Sequence, residues 1–228
     1  MANVERLVPF ILKWESGTTD KKLTGEQLFE KAKKNGFSDD KDDDGGATMC
    51  GVTIETYKAY CRKKGYPVPT VERLKNISYK DWLAILKTMY WDRWKADLIQ
   101  SQSIANLLVD WVWSSGKYGI IWPQSYLGVD ADGIVGNQTL SALENACKGE
   151  SSYEVFQDLV KRRIAYIDWI IKRDSRKKKF KNGWLNRLYD LKYEEKLFQE
   201  IRLCSMDNAR ANHPLPPCKL QEPAEPVL

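Results

Sequence analysis

The chain has 228 residues, 43% of them hydrophobic and 11% aromatic, and 36 Lys and Arg stand against 31 Asp and Glu for a formal net charge of +5. Most of such a chain folds, and its length allows one sizeable core or two small ones. The modest charge excludes a polyelectrolyte, although the basic residues gather at Lys172-Arg173 and from Arg176 to Lys181.

In chain order, Val4, Leu7, Val8, Ile11 and Trp14 recur at helical spacing, with Asn3 as the cap; Pro9 either kinks this helix or marks its first turn. The N-terminus has no basic region followed by an unbroken apolar stretch, because Glu5, Arg6 and Pro9 interrupt it. A protein made in the cytoplasm without a signal peptide or membrane span is expected, one that reaches an extracellular substrate by lysis or non-standard export. The helix ends at Trp14-Glu15-Ser16-Gly17. Thr24-Gly25-Glu26-Gln27 is a capping-box pattern opening a short helix through Leu28, Phe29 and Ala32 to Gly36.

An acidic run, Asp42-Asp43-Asp44, then enters Gly45-Gly46-Ala47-Thr48. A carboxyl group on a tryptophan-lined, poorly solvated helix end suits a general acid. A second carboxylate with a hydroxyl nearby can hold a water or steady a developing positive charge, and that pairing is the chemistry of glycoside hydrolysis. Taken singly, Glu15 also reads as an ordinary helix-terminal residue and the Asp run as a solvated loop.

Further helices follow: Gly51-Val52-Thr53 through Tyr57 and Cys61 to Gly65, and one capped at Ser78 with Trp82, Ile85, Leu86 and Met89 on one face, ending in Tyr90-Trp91-Asp92-Arg93-Trp94. Ser103 starts an apolar helix over Ile104 to Trp113 that carries Asp110 and Trp111, read as part of a cleft wall or as paired core. The stretch from Leu127 to Leu140 has its glycine at the wrong position for an EF-hand, so it is a tight turn and not a calcium loop; Leu127, Val129, Ile134 and Leu140 are its expected core residues. Trp122 and Tyr126, next to Pro123 and Gln124-Ser125, are placed to present rings to a sugar face or to pack under the loop. Ser151-Ser152-Tyr153-Glu154 caps a long helix through Ile171, and Gly183-Trp184-Leu185-Asn186-Arg187-Leu188 starts a last one through Ile201; a Pro-rich tail follows. No segment shows strand alternation, so the fold class is mainly α.

The five cysteines, Cys50, Cys61, Cys147, Cys204 and Cys218, are odd in number and contain no CxxC, against a disulfide framework or zinc knuckle. The one histidine, His213, lies in the tail, so a Ser-His-Asp hydrolase or a His-ligated zinc enzyme has little to build from. Carboxylate chemistry remains for a hydrolase, with no cofactor and no metal.

The helix ending in Glu-x-Gly, the D-x-G-G-x-T-x-x-G turn at 43–51, Tyr90-Trp91, the D-G-x-x-G-x-x-T element at 132–139 and Gly183-Trp184-Leu185-Asn186-Arg187 together resemble the N-acetylmuramidases of glycoside hydrolase family 108, which include secretion-activator proteins and phage-type endolysins. The resemblance covers about residues 3 to 190. It implies a lysozyme-like helical lobe over 1–100 packed against a helical peptidoglycan-binding-like lobe over 101–205, before a tail over 206–228. It also implies Glu15 as the catalytic acid, with Asp43 and Thr48 completing the catalytic set, and peptidoglycan as the partner of a monomer. Asp110, Trp111, Trp122 and Tyr126 are the candidate substrate-binding residues. Two departures stand out: Ser16 replaces a glycine, and residues 18 to about 40 resemble an insertion. A catalytically degenerate wall-binding module is the alternative, and nucleic-acid binding through Lys172 to Lys181 has charge alone behind it.

Overall fold

The computed structural model describes residues 1–39, 46–149 and 151–193. The chain divides into two compact units, Met1–Trp113 and Ser114–Leu228. The division falls later than the expected boundary near residue 101, near the end of a helix that begins at Gln102 and runs to Ser115. The start of that helix is tied to the N-terminus: Asn3 N donates to Gln102 Oε1 at 2.8 Å, and Gln102 Nε2 donates to Asn3 O at 3.0 Å.

In the first unit a 3₁₀ turn, Val4–Arg6, is capped by Asn3, whose Oδ1 accepts from Glu5 N at 2.9 Å. Helix α1 (Val8–Ser16) follows with Pro9 in its first turn, where a missing N–H costs nothing, so Pro9 starts the helix and does not kink it. Its buried face is Val8, Ile11 and Leu12, and Gly17 stops it at a left-handed φ of 69°. Helix α2 (Gly25–Lys33) opens with the capping box: Gln27 N donates to Thr24 Oγ1 and Thr24 N to Gln27 Oε1. It packs on α1 and buries Leu28, Phe29 and Ala32. The stretch that resembles an insertion is therefore part of the core.

Three short antiparallel strands, β1 (Phe37–Ser38), β2 (Thr48–Met49) and β3 (Val52–Thr53), form a sheet in that order. Sequence reasoning expected no strand, since two-residue strands are too short for alternation to register. Cys50 and Gly51 join β2 to β3 with φ of 46° and 80°. Positive φ at both central residues is what a two-residue type I′ hairpin turn requires. Helices α3 (Ile54–Lys64), α4 (Val71–Lys75) and α5 (Tyr79–Met89) are capped by Thr53, Thr70 and Ser78 respectively. Two 3₁₀ turns, Trp91–Arg93 and Ala96–Leu98, lead to α6 (Gln102–Ser115). Trp82, Trp91, Trp94 and Trp111 are fully buried, so aromatic bulk fills this core.

In the second unit α7 (Tyr118–Tyr126), α8 (Asn137–Gly149) and α10 (Lys181–Asp190) all pack on the long α9 (Ser152–Arg173), with a 3₁₀ segment, Ser175–Phe180, between α9 and α10. Ser151 and Glu154 form the capping box of α9. The loop between α7 and α8 is knotted around the buried Gln124, whose Nε2 reaches Asp132 Oδ1 (2.9 Å) and Ile134 O (3.0 Å) while its Oε1 accepts from Gly133 N (2.9 Å). The Ile134 N–H and the Gln124 amide hold the Asp132 carboxyl below its usual range. Ile134, expected in the core, is 69% exposed; its neighbour Val135 is the buried residue, since the turn rotates the chain by one position. No described helix is long and apolar enough to cross a membrane.

Candidate active site

Glu15 lies in the last turn of α1, half-buried. Its Oε1 accepts a 2.9 Å hydrogen bond from Trp113 Nε1, near the end of α6. The β2–β3 turn closes the other side. A Cβ added to Gly51 would stand 2.7 Å from both Cγ and Cδ of Glu15 and 2.6 Å from Trp113 Cζ2. Glycine is thus required twice here, for its left-handed φ and for the room it leaves.

The turn is pinned from behind. Cys50 N donates to Gly36 O at 2.7 Å, and Trp82 Nε1 donates to Cys50 O at 3.1 Å. The Cys50 thiol is buried, and burial followed by the negative charge of Glu15 pushes its pKa up to about 12. It therefore stays a thiol and takes no part as a nucleophile. The Trp113 ring lies 4.5 Å from the Tyr90 ring and 6.3 Å from Trp82, centroid to centroid. Tyr90 Oη is 3.3 Å from Thr56 Oγ1, which accepts from Thr53 Oγ1 at 3.1 Å. Burial raises the Tyr90 pKa; the Thr56 hydroxyl opposes that, and the charge on Glu15 adds to it. Tyr90 is consequently a neutral hydroxyl.

Thr48 is half-buried on β2, in register with Ser38 of β1 and Thr53 of β3, on the face opposite the buried Met49. Three hydroxyls therefore share one face of the sheet. Thr48 Oγ1 donates to Gly46 O at 3.2 Å. Asp43 lies outside the described residues. The serine that departs from the motif is accommodated: Ser16 Oγ donates to Leu12 O at 2.7 Å, an i−4 bond back to its own helix.

The remaining candidates fare differently. Asp110 and Trp111 have no exposed surface, so they belong to the core of the first unit and line no cleft. Trp122 is buried as well, with its ring 5.5 Å from Tyr166 and 6.1 Å from Trp169 in edge-to-face packing. Tyr126 is half-buried with the Arg162 guanidinium 5.8 Å from its ring centroid. Sequence reasoning missed Trp113. Positions 111 and 113 are roughly 200° apart around an α-helix, so when Trp111 faces the core Trp113 faces away from it.

Residues 31–116 match the model of the Glycosyl hydrolase 108 family, and residues 118–189 match a Predicted Peptidoglycan domain. The matched stretch contains Thr48, Gly51, Tyr90 and Trp113 but begins after Glu15, whose place in the site rests on the geometry. Among solved structures the chain is similar to SagA of Brucella abortus, with 23% identity and a TM-score of 0.55 over 80% of this chain and 98% of that one. That likeness supports the fold. No curated protein matches the sequence.

Proposed function

For a chain that belongs to the glycosyl hydrolase 108 family, carries a predicted peptidoglycan domain and is thus a peptidoglycan hydrolase of the glycoside hydrolase class, we propose N-acetylmuramidase activity with Glu15 as the general acid. The observation that carries this reading is the Glu15 carboxyl held between the Trp113 N–H and the Gly51 turn.

In this reading the protonated Glu15 gives its proton to the oxygen of the β-1,4 bond after N-acetylmuramic acid. The C1–O bond breaks as that oxygen leaves as a hydroxyl, and positive charge develops on the sugar. Asp43 steadies that charge or takes the proton of the attacking water, and the Thr48 hydroxyl helps place that water. Trp113 fixes one carboxyl oxygen, which limits the rotamers Glu15 can sample before reaction. Tyr90, neutral and packed on Trp113, supports the indole from behind. No cofactor is called for by these steps.

The experiment is digestion of purified peptidoglycan by the parent and by Glu15→Gln, with mass spectrometry of the products. New N-acetylmuramic acid reducing ends from the parent, and a rate lower by about 10² to 10⁴ for the variant, are expected. N-acetylglucosamine reducing ends would refute the bond specificity. A folded variant that cuts near the parent rate would refute Glu15. Asp43→Asn is expected to harm turnover much more than Asp42→Asn or Asp40→Asn.

A further inference from the structure

We propose that Thr56 is a positioning residue for the hydrolysis: its hydroxyl anchors Tyr90, Tyr90 sets the Trp113 indole, and the indole sets Glu15. The proposal rests on the reading of Glu15 as the general acid. Thr56, Tyr90, Trp113 and Glu15 all belong to the first unit, so the line is complete within one fold.

The line starts where the sheet meets a helix. Thr53 is held twice, by pairing with Thr48 across β2 and β3 and as the N-cap of α3. Its Oγ1 accepts from Thr56 N at 3.1 Å, which satisfies one of the first N–H groups of the helix. The cap is complete with that bond and makes no use of the Thr56 hydroxyl. In a capping box the side chain at this third helical position turns back to the N–H of the cap. Here the position holds a threonine whose Oγ1 accepts from Thr53 Oγ1 at 3.1 Å and stands 3.3 Å from Tyr90 Oη, 34 positions along the chain. A hydroxyl carries one proton. With the Thr53 proton given to Thr56, the Thr56 proton is available to Tyr90. That direction agrees with the Tyr90 pKa, which burial raises and the Thr56 hydroxyl draws back down.

Tyr90 needs such an anchor. It follows α5, with its N–H donating to Leu86 O and its carbonyl accepting from Arg93 N at 3.2 Å, so its backbone is fixed. The ring plane turns about a torsion with a broad minimum, which a fixed backbone does not set. A hydrogen bond at the far end of the ring does set it. The ring lies 4.5 Å from that of Trp113, centroid to centroid, and Trp113 Nε1 donates to Glu15 Oε1 at 2.9 Å. A hydrogen bond weakens steeply as its angle closes, so a tilt of the indole is felt at the carboxyl. Displacement of a reacting group by about 1 Å is enough to lower a rate strongly. Thr56, which touches neither the acid nor the indole, thereby acts on both.

The test uses the full chain with three variants: Thr56→Val, which keeps the shape and drops the hydroxyl, Thr56→Ser, which keeps the hydroxyl, and Tyr90→Phe. Two quantities are read: steady-state kinetics on soluble glycan fragments, and hydrogen exchange of the Trp113 indole N–H by NMR, its signal identified with Trp113→Phe. Thr56→Val should lower kcat about three- to tenfold, as loss of one neutral hydrogen bond does, with KM and the melting temperature near those of the parent. It should also speed exchange at the Trp113 N–H, and Thr56→Ser should recover most of both. Tyr90→Phe removes the same bond, so combining it with Thr56→Val should lower kcat little further. In a Trp113→Phe background Thr56→Val should hardly change kcat. An unchanged kcat or exchange rate in Thr56→Val, a serine variant no better than valine, losses that multiply in the double variant, or the full loss persisting without the Trp113 donor would overturn the proposal. Failure of the underlying reading shows itself separately. A folded Glu15→Gln chain that cuts near the parent rate refutes the acid and the catalytic half of this proposal with it, while Trp113 exchange still reports whether Thr56 holds the indole.

Discussion

Trp113 and Glu15, 98 positions apart, meet through a 2.9 Å hydrogen bond from the indole N–H to the carboxyl Oε1. One comes from the end of α6 and the other from the end of α1, so the bond exists only when the first unit is folded. Trp113→Phe keeps most of the ring that packs on Tyr90 and Trp82 and deletes only the donor. A hydrogen bond to a charged group contributes about 1.5–3 kcal/mol, so kcat should fall by about 10- to 150-fold with little change in KM. Steady-state kinetics on soluble glycan fragments measure this. A change in KM alone would mean that Trp113 holds sugar and does not position the acid.

Gly51 offers a matched comparison with Gly65. Both have left-handed φ, 80° and 70°, but a Cβ at Gly51 meets Glu15 and Trp113 below 3 Å while a Cβ at Gly65 meets nothing within 4 Å. Gly65→Ala should therefore show only backbone strain, about 1 kcal/mol, with activity retained. Gly51→Ala adds the clash and should lose both stability and turnover. Paired melting and turbidity assays separate the two. Equal behaviour of the two variants would remove the turn from the site.

Cys50 supplies a pH signature. Its thiol ionises near 9.0 in an unexceptional setting and is pushed up to about 12 in the folded chain. A raised folded pKa gives stability that is complete below pH 9 and is lost as pH climbs toward 12, because the unfolded chain releases its proton first. The native protein should resist iodoacetamide at Cys50 at pH 8.5 and react once denatured, with peptide mapping as the readout. Rapid native labelling at Cys50 would contradict the burial.

Much of this was legible in the sequence, for identifiable reasons. Capping residues Thr24, Ser78 and Ser151 announced three helices because a cap is a local event, complete within four residues. Glu15 and Thr48 stood in short motifs whose chemistry needs those residue types. What the sequence concealed depends on distant packing. Nothing around residue 113 says that its indole will reach residue 15, and the sheet that carries Thr48 has two-residue strands held by register alone. The choice of Trp111 over Trp113 failed because a run of apolar residues on α6 hides which side faces the core. Residues 18 to 40 looked like an addition to a motif, yet α2 and β1 supply core side chains and the first strand of the sheet.

The last prediction concerns Trp122 and Tyr126, which sequence reasoning paired as rings that either face a sugar or pack under the loop, and which the structure separates. Trp122 is buried on α7, with its ring edge-to-face on Tyr166 and Trp169 of α9. Trp122→Ala should leave a cavity there and cost about 3–5 kcal/mol, a large fraction of the stability of a unit this size. Any loss of wall binding in that variant would then track unfolding. Tyr126 is half-buried at the end of the same helix, against Arg162 of α9. Its ring–guanidinium contact contributes about 0.5–1 kcal/mol at an exposed site, so Tyr126→Ala should melt close to the parent. If that ring also meets glycan, the variant should be retained less on insoluble peptidoglycan while cleavage of short soluble oligosaccharides survives, because Glu15 lies in the other unit. Undiminished retention of Tyr126→Ala would strip the α7 end of any role in binding, leaving that task to other surfaces of the second unit.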